Sequence, residues 1–159
     1  MKQNELTIRK ITVQDMNILY EMINGLALYE KRPNDMIGSI EMLKYWLFEK
    51  KIATAVIAEI KDQIIGYAIY YPIFSSFATN VNVHIEDLFI KPEYRGQGYG
   101  KEFFYKLSEM IKKEGYLKLE WSCLNWNASS IKFYEKIGAI QETGRFYFEY
   151  KLKNDWNIF

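Results

Sequence analysis

Apolar and polar side chains alternate through "LTIRKIT" from Leu6, the period of a strand with one face buried. Thr12 and Asp15 then stand at the interval of a capping box, and Ile18, Leu19, Met22, Ile23 and Leu26 follow at helical spacing. That helix should end near Tyr29 and Glu30, because Pro33 just beyond cannot continue it. Ser39 is a good N-cap for a second, shorter helix holding Leu43, Trp46 and Leu47. "TAVIAEI" and "IIGYAIYY" are β-branched and aromatic runs on either side of the polar turn Lys61, Asp62 and Gln63, a pattern that predicts a hairpin. Pro72 to Asn82 is less regular and reads as a loop before a further strand from Val83 to Ile90.

In the second half, Phe103, Phe104, Leu107, Met110 and Ile111 form one face of a helix that Gly115 can terminate in the left-handed conformation. "YLKLEWSC" alternates again and predicts a strand. Asn127 can cap a last helix bearing Ile131, Tyr134 and Ile137, closed by Gly138, and "RFYFEYKL" reads as the end of a final hairpin. No repeat, low-complexity tract or linker divides the chain, so residues 1–159 are expected to form a single domain. The order of elements, an antiparallel start and one strand, helix, strand crossover, predicts an α+β fold, α/β in a loose sense.

Composition narrows the classes. A hydrophobic content of 49% in 159 residues suffices for a core without a metal or disulfide staple. Lys and Arg number 21 against 20 Asp and Glu, so no bulk field attracts nucleic acid or anionic lipid. The single cysteine, Cys123, cannot form an internal bridge, and "MKQNELTIRK" lacks the apolar segment of an export signal, which points to the cytoplasm. "IIGYAIYYPIF" is too short to span a bilayer and contains Pro72, so a soluble protein is expected. His84 is the only histidine, which excludes a multi-histidine metal site, and Cys123 on an apolar strand reads as ordinary burial.

The candidate chemistry lies in "HIEDLFIKPEYRGQGYGKEFF". A strand that ends in a glycine-rich turn and leads straight into a helix exposes unpaired N–H groups at the positive end of the helix dipole, where phosphate binds. Gly96, Gly98 and Gly100 fit that use, and they fit a tight surface turn equally well. The Walker pattern fails because Glu102 follows Lys101, and the dinucleotide fingerprint fails because Phe103 replaces its third glycine.

The pattern that fits is R-x-x-G-x-G, Arg95 to Gly100, at the entrance to a helix after a strand. Together with "IRKIT", "IIGYAIYY", "IEDLFIKPEYRGQGYG" and "WNASSIKFYEKIGA", it resembles the GNAT family of acetyl-CoA-dependent N-acetyltransferases over nearly the whole chain. Within that family the chain looks most like the spermidine/spermine (diamine) and thialysine acetyltransferase branch, through Tyr29 and Glu30, Ile85 to Asp87, and Trp126 to Tyr134.

The resemblance implies a mixed central sheet flanked by helices, acetyl-CoA as cosubstrate without a metal, and a homodimer. It assigns the coenzyme pyrophosphate to Arg95, Gly96, Gln97, Gly98, Tyr99, Gly100 and Lys101, with further contacts from Asn127 and Ser130. Pantetheine would lie along Leu88, Phe89 and Ile90 as an extra ladder member, and amides there would face the thioester oxygen.

Acetyl transfer to an amine also needs a base, because an aliphatic ammonium cannot attack at neutral pH, and a proton for the departing sulfur. The resemblance gives these roles to Glu86, acting directly or through water, and to Tyr134. Strand periodicity puts Glu86 and Leu88 on one face and Asp87 on the other. Tyr29, Glu30 and Asp87 are the expected acceptor contacts. The polyamine branch has a further aspartate after its third strand, whereas "YPIFSSFATNVN" offers Ser75 and Ser76 and no acid. A small aliphatic amine with one or two amino groups is therefore expected alongside spermidine. An amine of a protein, amino acid or antibiotic, or a non-catalytic acyl-CoA sensor, stays open.

Overall fold

The computed structural model describes residues 5–151. Its centre is a five-stranded sheet in the order β1 (Thr7–Lys10), β2 (Thr54–Ile60), β3 (Gln63–Ser75), β4 (Asn80–Ile90) and β5 (Leu119–Glu120). The first three pairings are antiparallel and β4 with β5 is parallel. The expected fold class is therefore observed: a mixed sheet flanked by helices α1 (Met16–Tyr29), α2 (Ile40–Lys44), α3 (Tyr99–Lys113) and α4 (Ala128–Lys136).

Local chemistry explains most element ends. The Asp15 carboxylate accepts from the Thr12 amide at 2.7 Å and the Thr12 hydroxyl at 2.9 Å, and a short 3-10 turn leads into α1. Arg9 donates to the same carboxylate and to Glu59, so β1, β2 and the start of α1 are tied at one point. Ser39 accepts from the Met42 amide at the start of α2. Lys61 and Asp62 both take positive φ, 49° and 62°, the twist a two-residue hairpin turn requires.

The sheet is covered on both faces, which is why "TAVIAEI" is apolar almost throughout. On one face Val56, Ala58, Ala68, Tyr70, Val83 and Ile85 pack with Phe103, Leu107 and Ile111 of α3. On the other, Ile57, Tyr67, Ile69 and Phe89 pack with Leu19 and Met22 of α1. Gly66 is needed where β3 passes β4: an added Cβ would stand 2.3 Å from the Phe89 carbonyl oxygen.

Three expectations require correction. Pro72 to Asn82 is not a loop, because β3 and β4 remain paired to Ser75 and Asn80. Beyond Tyr70, β3 has lost β2 as a neighbour, an edge position where Pro72 is tolerated. The strand expected in "YLKLEWSC" contracts to Leu119 and Glu120, since β5 touches β4 only at Val83 and His84. The final hairpin is absent among the described residues. Residues 139–151 contain no strand, and Phe146, Tyr147, Phe148 and Tyr150 stay exposed, because a period-2 run forms a strand only beside an open ladder. Leu152, at the end of that run, lies outside the described residues. No helix among the described residues is long and apolar enough to cross a membrane.

Candidate active site

The site forms where β4 and β5 part. Their ladder ends at His84, so beyond it the β4 edge toward Ile90 faces no strand among the described residues. A bulge sits at this place: Ile69 opposes Asp87 and Tyr70 opposes Ile85, leaving Glu86 as the extra residue. The bulge lets both Ile85 and Leu88 pack toward α3, while Asp87 meets the α1 side. Glu86 and Leu88 then line a small cavity with Ile85, Phe104, Trp121, Ser122 and Tyr134. The expected separation of Glu86 from Asp87 is observed.

Tyr134 projects from α4, whose start is fixed by Asn127. The Asn127 side chain is 6% exposed, and its Oδ1 accepts from the Ser130 amide at 3.2 Å and from the Tyr29 hydroxyl at 3.1 Å. The Tyr134 ring stands 5.2 Å from Trp121. Burial pushes its phenol up to about 12, with Cys123, Glu30 and Tyr29 adding to the effect, so the group keeps its proton at neutral pH.

Glu86 is exposed and accepts from the Tyr71 hydroxyl at 3.3 Å, with His84 Nε2 at 3.7 Å. Tyr71 and His84 stack with ring centroids 5.1 Å apart. Asp87 differs. Burial raises its carboxyl to about 6, a hydrogen bond from the Tyr67 hydroxyl at 3.0 Å opposes the rise, and Glu86 and Glu30 add to it. Glu30 is raised as well, by burial first, with Arg32 at 3.8 Å opposing and Glu86 adding. Glu30, Glu86 and Asp87 thus share one electrostatic neighbourhood. Among the described residues, no three His, Cys, Asp or Glu stand close enough to hold a metal ion.

The glycine loop follows β4 through a 3-10 turn, Pro92–Tyr94. Gly96 and Gly98 adopt φ of 74° and 91°, which settles their purpose as backbone conformation, and Gly98 is the N-cap of α3 without a capping side chain. An added Cβ on Gly96 would meet nothing within 4 Å, so this side of the loop is open. Uncapped first-turn amides beside an open glycine turn fit the diphosphate of a coenzyme. Gly100, in the first turn of α3, lies beside Phe133, and the Tyr99 ring is buried. Lys101 lies 5.7 Å above the Tyr105 ring, and Gln97 Nε2 donates to the Glu93 carbonyl. Arg95 donates from Nε to the Ile90 carbonyl at 2.8 Å, and its guanidinium lies 4.6 Å from the Tyr29 ring centroid and 5.2 Å from that of Phe89.

The structure therefore brings Tyr29, Glu30, Glu86, Asp87, Asn127, Ser130 and Tyr134 to one end of the β4–β5 opening. The residues that sequence reading missed are Tyr67, Tyr71 and Trp121, and it set His84 aside. Their signal is the pairing register of β3 on β4, which no local pattern contains.

The profile of the Acetyltransferase (GNAT) family matches residues 19–139, and the chain belongs to that family. It is accordingly an acetyl-CoA-dependent N-acetyltransferase. It is 33% identical over 141 residues to a thialysine N-epsilon-acetyltransferase of Sus scrofa, covering 83% of this chain and 82% of that protein. It is 26% identical to a spermidine/spermine N(1)-acetyltransferase-like protein of Homo sapiens over 84% of this chain and 20% of that protein. A possible acetyltransferase from Clostridium difficile 630 shares the fold with a TM-score of 0.80 at 18% identity, covering 94% of this chain and 99% of that one.

Proposed function

We propose that this enzyme acetylates a primary amine of a small aliphatic amine, diamine or polyamine. The observation that carries the reading is the convergence of Glu30, Glu86 and Asp87, whose mutual repulsion favours a cation among them, with Glu86 also lining the Tyr134 cavity. The name of the porcine relative also brings the side-chain amine of an amino acid into the class of acceptors.

Acetyl-CoA, when bound, supplies the thioester whose acetyl group moves. Gly96, Gly98 and the first amides of α3 would hold its pyrophosphate, with Arg95, Gln97, Tyr99, Gly100, Lys101, Asn127 and Ser130 around them. Main-chain amides from Leu88 to Ile90 would face the carbonyl oxygen along the open β4 edge. Tyr29, Glu30 and Asp87 hold the amine on the α1 side. Glu86 takes a proton from it, directly or through water, and Tyr134 keeps a proton for the departing sulfur.

We include a homodimer in the proposal, supported by exposed Phe74 and Phe77 on the β3–β4 hairpin and by the exposed aromatics at 146–150. Light scattering on the purified protein checks it, and a monomer at micromolar concentration rejects it. The cytoplasm is the compartment that a lone, half-buried Cys123 suits.

A panel of thialysine, ornithine, 1,3-diaminopropane, spermidine and peptide amino termini, assayed by thiol release from acetyl-CoA, tests the acceptor class. Turnover is expected with the small amines. Turnover confined to peptides would replace this reading, and binding of acetyl-CoA without any turnover would make the protein a sensor.

A further inference from the structure

Tyr67 is completely buried in the core on the α1 side of the sheet. A phenol in that position normally finds a partner for its hydroxyl, and any buried acceptor satisfies it. Here the acceptor is Asp87 Oδ2, at 3.0 Å. The pairing register explains how they meet. Tyr67 lies opposite Phe89 and Ile69 opposite Asp87, so Tyr67 and Asp87 are diagonal neighbours on one face of the β3–β4 ladder. The aromatic contact between Tyr67 and Phe89, with centroids 5.7 Å apart, holds the phenol ring in place.

The charged and titratable groups acting on Asp87 come from three elements. Tyr67 of β3 donates a hydrogen bond, Glu86 of β4 repels, and Glu30 at the end of α1 repels. No cation is among these influences. The phenol is therefore what favours the charged form of a half-buried carboxylate that its other neighbours oppose.

We propose that Tyr67 is a positioning residue of the acceptor site: its buried hydroxyl orients the Asp87 carboxylate and keeps it charged toward an incoming ammonium. This rests on the reading of Asp87 as an amine contact. A neutral Asp87 would keep its shape and lose its attraction for a cation. Amine capture should therefore decline as pH falls through the Asp87 titration.

Tyr67→Phe preserves the ring that fills the core and removes only the donor. Without it the carboxyl should titrate at higher pH, so the acidic limb of kcat/KM for the amine moves upward by about one pH unit. At pH 7, kcat/KM should fall roughly twofold through KM, the deficit should widen toward roughly tenfold near pH 5, and it should close above about pH 8. Acetyl-CoA affinity and melting temperature report whether the fold is intact, and both should stay near wild type.

The test combines this kinetic profile, run with thialysine and with 1,3-diaminopropane, with a carbon-13 NMR titration of the Asp87 carboxyl in wild type and Tyr67→Phe. A higher Asp87 midpoint together with a displaced acidic limb supports the proposal. An unmoved midpoint overturns it whatever the substrate. A higher midpoint with an unchanged kinetic profile overturns it through its premise, and wild-type kcat/KM in Asp87→Asn would then show that Asp87 does not hold the amine.

Discussion

In the proposed reading, the two sides of β4 bind by opposite means. Toward α3 lies the glycine loop, where the main chain supplies the donors, and Gly96 and Gly98 serve through positive φ. Toward α1 lie the carboxylates Glu30 and Asp87, whose charge depends on burial and on their neighbours, Glu86 across β4 among them. Peptide N–H groups do not titrate and need no rotamer ordering, so the coenzyme side should change little with pH. The acceptor side should be sensitive to pH and to single side chains. On that reading the coenzyme part can serve many acceptors, while selectivity would reside in a few titratable groups.

The sharpest break of the comparison is at Tyr134, which stands between the two sides. Tyr134→Phe keeps the ring against Trp121 and removes the proton. A drop in kcat of about 100-fold is expected with acetyl-CoA affinity nearly unchanged. Rapid-mix kinetics with calorimetry would check it, and an unaltered kcat removes the acid role. Glu86→Gln comes next: kcat/KM should fall by about 30-fold and its rise toward alkaline pH should flatten. An intact pH profile would count against Glu86 as base.

On the coenzyme side, Gly98→Ala forces a side chain into φ of 91°. The strain, about 1 kcal/mol, should weaken acetyl-CoA binding by about fivefold and spare kcat at saturation. A larger effect on the amine KM than on the coenzyme would reverse the assignment of the two sides. The smallest effect is that of pH on binding alone. The Asp87 carboxyl, raised to about 6, is charged above that value and neutral below it. Amine affinity measured by calorimetry in the presence of coenzyme A should therefore fall by roughly threefold between pH 7.5 and 5.5. Acetyl-CoA affinity should shift less. Equal pH dependence on both sides would erase the contrast.

Local patterns determined a large part of this protein. Thr12 with Asp15, Ser39, Asn127, Gly115 and Gly138 mark element ends through contacts within a few residues, and each stands where its chemistry predicts. The glycine loop was equally readable, because a strand, a positive-φ turn and a helix start form one contiguous segment. Tertiary structure alone decided the rest. The bulge that leaves Glu86 unpaired exists only in the register of β4 on β3, and so does the meeting of Tyr67 with Asp87, 20 positions apart in the chain. The exposed run at 146–150 shows the same limit from the other direction, since alternation states a preference for a ladder and only a neighbouring edge can satisfy it.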